Sequence, residues 1–216
     1  MATIITGTTQ GLGSKLAPLL LEKDAGAIVV NRRRSGQANE LIYDLASKPA
    51  VDTLKSELVG RTTDDKVLFV LNAAVYGDDE TVSDITPESA GNILYTNVFS
   101  QLALVEALLQ ADKSVRLAAV SSSMGSIGTA PEPYHYAYGS SKAALNLGIR
   151  LMSKQYNNLS YLIIDPGWMQ TQMGGEGATE DPATVARLFM NAIFEGSHWN
   201  NASGMLDITT GNTIIW

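Results

Sequence analysis

The chain has 216 residues, 45% of them hydrophobic, which is enough to close one well-cored domain; the absence of cysteine excludes a disulfide framework, a thiolate zinc site and a thiol nucleophile. A net charge of -7 disfavours broad binding to nucleic acid or to an anionic membrane, and two histidines leave few parts for a His-rich metal centre or a Ser-His-Asp triad, so no metal is expected. No apolar run reaches the roughly 18 to 20 residues of a membrane span.

Short apolar runs recur near residues 2-6, 26-30, 41-44, 67-72, 115-120, 160-165 and 204-209. Most are rich in Val, Ile and Leu without alternation, which predicts strands buried on both faces. Helical periods lie between them: Leu16, Leu19 and Leu20, then Val51, Leu54 and Leu58, then Leu102, Val105, Leu108 and Leu109. Strand and helix alternating along one chain predict an α/β architecture, a doubly wound sheet of seven parallel strands flanked by helices in a single-domain Rossmann fold over residues 1-216. No internal repeat, low-complexity tract or linker interrupts it. Met1 passes almost directly into the first strand and a glycine turn, which leaves no room for a signal or transit peptide and makes the cytoplasm the expected location.

The first strand ends in Thr6-Gly7-Thr8-Thr9-Gln10-Gly11-Leu12-Gly13, and a helical run starts at Ser14. Glycines at a strand-to-helix turn let backbone approach a pyrophosphate, and the helix N-terminus supplies amide donors and a favourable dipole. A merely structural tight turn is the alternative. The second strand ends at Asn31-Arg32-Arg33-Arg34, with no acid to accept the ribose hydroxyls of NAD. Positive charge there, in an acidic protein, favours NADP(H) over NAD(H), the alternative being a solvated turn. Residues 32-40 are too few for an ordinary crossover helix, which predicts an open adenosine pocket. Farther along, Lys142 follows Tyr138 by four residues, the spacing that puts two side chains on one helix face. A lysine ammonium beside a phenol would favour phenolate and bring the tyrosine down from its usual value near about 10 toward working pH. An ordinary surface pair is the alternative for this motif taken alone.

In this order the residues resemble the short-chain dehydrogenase/reductase family along essentially the whole chain. The glycine turn matches that family's cofactor motif, Leu71-Asn72-Ala73-Ala74 is similar to its Asn-Asn-Ala-Gly segment, and Ser121-Ser122-Ser123-Met124-Gly125 is similar to its Ser-Ser-x-x-Gly segment. Pro166-Gly167-Trp168-Met169-Gln170-Thr171 resembles the segment that holds the nicotinamide carboxamide. Within the family, Pro-Gly-Trp, Gln172-Met173-Gly174-Gly175 and the ending from Ser203 to Trp216 resemble its C-factor and Sniffer-like carbonyl reductases.

The resemblance implies a catalytic set of Asn97, Ser122, Tyr138 and Lys142. It implies cofactor contacts from Gly7, Thr9, Gln10, Gly11, Leu12 and Gly13, from Asn31, Arg32 and Arg33, from Asp44 and Leu45, and from Asn72, Ala73 and Ala74. Tyr138, Lys142, Pro166, Gly167, Met169 and Thr171 complete that set. It implies hydride transfer between NADP(H) and a small carbonyl or alcohol, Ser122 and Tyr138 meeting the substrate oxygen, Lys142 lowering the phenol and Asn97 anchoring a water. A regulatory or signalling protein that binds the dinucleotide with little turnover is the alternative. The chain departs from the family pattern at Leu71, Ala74 and Gln10, so the phosphate preference rests on Arg32 and Arg33. The stretch from Gln172 to Asp181, rich in glycine and small polar residues, reads as a mobile lid, with Trp168, Met173, Tyr134 and His135 as pocket candidates. A homodimer or homotetramer through the helices carrying Asn97 and Tyr138 is also implied, and apolar Leu102, Val105 and Leu109 permit it.

Overall fold

A computed structural model describes residues 1–77, 81–129, 133 and 135–216. In chain order the elements are β1 (Ala2–Thr6), α1 (Gly11–Lys23), β2 (Ile28–Asn31), β3 (Glu40–Ile42), α2 (Lys48–Arg61), β4 (Lys66–Leu71), α3 (Pro87–Leu94), α4 (Ser100–Gln110), β5 (Ser114–Val120), α5 (Tyr136–Gln155), β6 (Leu159–Asp165), α6 (Pro182–Glu195), β7 (Gly204–Asp207) and β8 (Thr213–Ile215). The strands form one sheet in the order β3-β2-β1-β4-β5-β6-β7-β8. Strand order reverses direction between β1 and β4, and that switch point opens a crevice above the carboxyl ends of the strands.

Seven strands are parallel, as their unalternating apolar sequences predict, and the sheet differs from expectation at its edge. An eighth strand, β8, pairs antiparallel with β7. Its three residues are too few and too exposed to form an apolar run. The intervening turn creates it: the Asp207 carboxylate accepts from the Thr209 and Thr210 amides, and Gly211 takes the left-handed conformation.

Burial on both faces explains the strand composition. Ile4, Phe69 and Leu117 pack with Leu54, Leu104, Leu108 and Leu145 on one face, and Ile5, Val70 and Ala118 pack with Leu16, Leu20 and Phe189 on the other. Successive residues of one strand thus enter different cores, so alternation has no reason to appear.

Between β2 and β3 the chain makes no helix, as residues 32-40 predict. Residues 32–39 fold back instead, tied where Glu40 Oε1 accepts from Asn31 Nδ2 at 2.7 Å and from Ser35 N at 2.8 Å. The helical run from α3 into α4 carries a π turn at Tyr95–Phe99, a form common at functional sites. Among the described residues no helix is long and apolar enough to cross a membrane, and no group of three or more His, Asp or Glu side chains could hold a metal.

Candidate active site

The crevice is a cavity of about 610 Å³ running from the glycine turn after β1 to the ends of β5 and β6. That size suits a small-molecule or cofactor site. At its phosphate end Gly7 has φ +73, and a Cβ there would fall 2.6 Å from Ala73 Cα; a Cβ on Gly13 would fall 2.1 Å from Gly7 O. Both positions therefore need glycine for backbone packing. Gly11, at φ +54, differs: its missing Cβ leaves a gap facing Thr171 across the crevice, the nearest atom 3.6 Å away. No side chain caps the N-terminus of α1, so no side chain competes for its leading amides. A cradle with bare backbone at a helix N-terminus fits the pyrophosphate of a dinucleotide.

Side chains fix this cradle from below. Asn72 Nδ2 donates to Gly7 O at 2.6 Å and to Thr6 O at 3.1 Å, while Thr6 Oγ1 accepts from the Asn72 and Ala73 amides. Gln101 Nε2 donates to Ala73 O. Asn31 Oδ1 accepts from Thr8 N at 2.7 Å, tying the turn to the end of β2. The Asn31 side chain is spent on Thr8, Ser35 and Glu40, so any contact it makes to cofactor must come from backbone.

Arg32 after β2, with Tyr43, Asp44 and Leu45 after β3, lines the far side of the crevice from Ser122, and Gln10 lines it at the start of α1. All three arginines after β2 are exposed, and of them Arg32 lines the crevice. This narrows the pairing expected of Arg32 and Arg33.

At the other end Ser122, Tyr138 and Lys142 share the cavity wall. Ser122, at the end of β5, accepts from Met124 N at 3.2 Å, which leaves its hydroxyl proton for another acceptor. Tyr138 and Lys142 lie in the first turns of α5, both buried, at 8% and 2% exposure. Their electrostatics differ from the sequence expectation. Burial pushes the Tyr138 phenol above its ordinary value, and the neighbouring Tyr76 and Asp165 push the same way. Lys142 is itself pushed down to about 8 by burial, against a partial upward pull from Asp165. Its Nζ donates to Val120 O at 2.8 Å and lies 5.4 Å from the centroid of the Tyr138 ring, so the cation stands near the phenol without bringing it below its ordinary value. Removing a phenolate from water costs more here than the cation returns.

Asn97 sits in the π turn and does not line the cavity. Its Oδ1 accepts from Val75 N at 2.7 Å, and its Nδ2 donates to Val75 O at 2.9 Å and Ser141 Oγ at 3.0 Å. It clamps the segment after β4 to α5, with both Nδ2 protons spent and one acceptor lone pair of Oδ1 left over.

The structure thus gathers at one crevice all the expected cofactor residues except Gly13 and Arg33, with Ala74, Pro166, Gly167, Met169 and Thr171 along its walls. Trp168, Met173 and His135 line it too; Tyr134 lies outside the described residues. The stretch from Gln172 to Asp181, read as a lid, is tied to the turn before it: Trp168 Nε1 donates to Gly174 O at 2.7 Å, and Gln170 N donates to Glu180 O at 2.8 Å. Among the lining residues that escape the sequence pattern, Tyr76 and Asp165 act on the reactive end. Tyr76 packs edge-on to Tyr138 with ring centroids 4.7 Å apart and against His135 at 4.4 Å. Asp165 ends β6, and an acid closing an otherwise apolar run is the signal that could have found it.

A family model described as short chain dehydrogenase matches residues 1–181. The chain is 32% identical to C-signal of Myxococcus xanthus over 154 residues, covering 69% of this chain and 92% of that protein. Among solved structures, the carbonyl reductase Sniffer of D. melanogaster superposes with a TM-score of 0.82 at 24% identity, covering 100% of this chain and 99% of the other. NADPH-bound carbonyl reductase from chicken fatty liver superposes with a TM-score of 0.79 at 20% identity, covering 100% and 98%. At these identities the structural likeness speaks to the fold.

Proposed function

The chain belongs to the short-chain dehydrogenase family, and on that premise we propose that it is an NADP(H)-dependent carbonyl reductase acting on a small carbonyl or alcohol. The observation that carries this reading is the meeting of Ser122, Tyr138 and Lys142 at one end of a crevice whose other end is a bare glycine cradle. Arg32 at the adenosine end, and the carbonyl reductases among the structural neighbours, support the choice of NADP(H) and of carbonyl reduction.

When bound, the nicotinamide supplies a hydride to the carbonyl carbon, or takes one from the alcohol carbon in reverse. Negative charge building on the substrate oxygen needs donors already in place. Ser122 offers its hydroxyl, and Tyr138 offers a phenol that keeps its proton at neutral pH, because burial raises its pKa. The proton passes from Tyr138 to the substrate oxygen as the C–H bond forms, giving the alcohol. Lys142, inside the pocket with its ammonium bonded to Val120 O, supports the phenolate left behind and can donate to ribose hydroxyls. Asn97 holds the wall of the crevice by its bonds to Val75 and Ser141.

The test is NADPH consumption with a panel of aldehydes, ketones and quinones. Wild type should oxidise NADPH with at least one class, and Tyr138→Phe should bind NADPH normally while turnover falls by about 10²-fold or more. Full activity in the variant would sink this assignment of the proton donor. The similarity to C-signal favours a second reading, a dinucleotide-binding signalling protein with little turnover. Tight NADPH binding with no consumption across the panel would select it.

A further inference from the structure

Asp165 is the last residue of β6, after the apolar run Leu162, Ile163 and Ile164, and it is 7% exposed. It faces the crevice at the reactive end with Tyr138 and Lys142. The polar groups that act on it are donors: Gly167 N donates to Oδ1 at 3.4 Å, and the amide and hydroxyl of Ser123 favour its anion. Burial pushes the carboxyl above its ordinary value, and these donors pull it back. A protonated carboxyl would have to donate to an acceptor, so a shell of donors suits the anion. Among the described residues no cation pairs with it within 4 Å, and the Lys142 ammonium is turned to Val120 O. A buried, unneutralised carboxylate is costly unless something compensates it.

We propose that Asp165 is a positioning residue that also acts through its charge: it ties the loop after β5 to the turn after β6, and its fixed negative charge favours the oxidised, cationic nicotinamide over the neutral reduced ring. The inference rests on the nicotinamide reading above. The same charge draws Lys142 toward its cationic form, against the push of burial, and holds the proton on Tyr138, so one carboxylate biases both the hydride and the proton side of the exchange. Besides Tyr138 and Lys142, the titratable group that acts on it is Asp207, its register partner on β7, while Tyr76, on the segment after β4, packs against Tyr138. Asp207 spends both carboxylate oxygens on its own turn, through Thr209 and Thr210.

Asp165→Asn removes the charge and keeps an acceptor oxygen for Gly167 and Ser123. Dissociation constants for NADP+ and NADPH are measured by fluorescence titration in wild type and variant. The expected result is an increase of about tenfold in the NADP+ to NADPH dissociation-constant ratio, from a unit charge acting several ångströms away at intermediate dielectric. A purely structural role would weaken both cofactors alike, and an unchanged ratio overturns the proposal. Should the variant not fold, Asp165→Ser removes the same charge and keeps a hydroxyl acceptor for the neighbouring donors, and an unchanged ratio in it overturns the proposal. Wild type that binds neither cofactor overturns the nicotinamide reading itself, and this inference with it.

Discussion

Tyr138 and Lys142 are four residues apart on one helix, yet their protonation is set by residues far away in sequence. Burial pushes Lys142 down to about 8 from an ordinary value of 10.5. Between those two pH values the unfolded chain binds the extra proton, so the Lys142 contribution makes stability rise with pH. The depression corresponds to about 3 kcal/mol, present as a cost at neutral pH and relieved as pH climbs through the window. Tyr138 works in the opposite sense, but only above about pH 10, where an unfolded phenol ionises and the buried one does not. Denaturant unfolding of the cofactor-free protein should therefore show increasing stability from pH 8 to 10, and Lys142→Met should flatten that slope. A slope unchanged by the substitution would mean that Lys142 is solvated. At the adenosine end, Arg32 is the arginine that lines the crevice, so Arg32→Asp should shift preference toward NADH by about tenfold or more while Arg33→Asp changes it little. Equal effects of the two, in NADPH and NADH titrations, would contradict the placement.

The glycine turn and α1 work as one element. Gly13 does not line the crevice, but a Cβ on it would meet Gly7 O at 2.1 Å and Asn72 Nδ2 at 2.5 Å. Gly13→Ala should therefore cost both stability, by about 1 to 3 kcal/mol, and cofactor affinity, because the phosphate cradle moves with Gly7. Thermal unfolding with and without NADPH measures both, and an unperturbed melting temperature would show that α1 shifts freely. The turn was readable because glycine spacing is a local signal. Asn31 was not: its sequence place beside three arginines suggested a cofactor contact, and only the packing of Thr8, Ser35 and Glu40 around it revealed that its side chain is occupied. Asn97 is similar, since its partners Val75 and Ser141 lie 22 and 44 residues away.

Across the whole molecule, the surface left by the fold revises the residues suited to self-association. Val105 and Leu109 are in the core, and Leu102 packs against Gly148. Instead α5 presents Leu147 and Leu151, 59% and 58% exposed and one turn apart on one face. Leu147→Glu with Leu151→Glu should convert a dimer or tetramer to a monomer by sedimentation without loss of fold; a monomeric wild type would remove the expectation. By itself the sequence determined the α/β class, the parallel strands, the glycine cradle, the missing helix between β2 and β3, and the order of the motifs. These are carried by local pattern, period and turn chemistry. Tertiary structure alone decided the antiparallel eighth strand, which arm of the arginine run meets the crevice, the protonated state favoured for Tyr138, and the placing of Asp165 beside Lys142. Each of these depends on which distant groups share a buried volume, and the free energy of a charge or a hydrogen bond is fixed by that environment, not by the neighbouring residues in the chain.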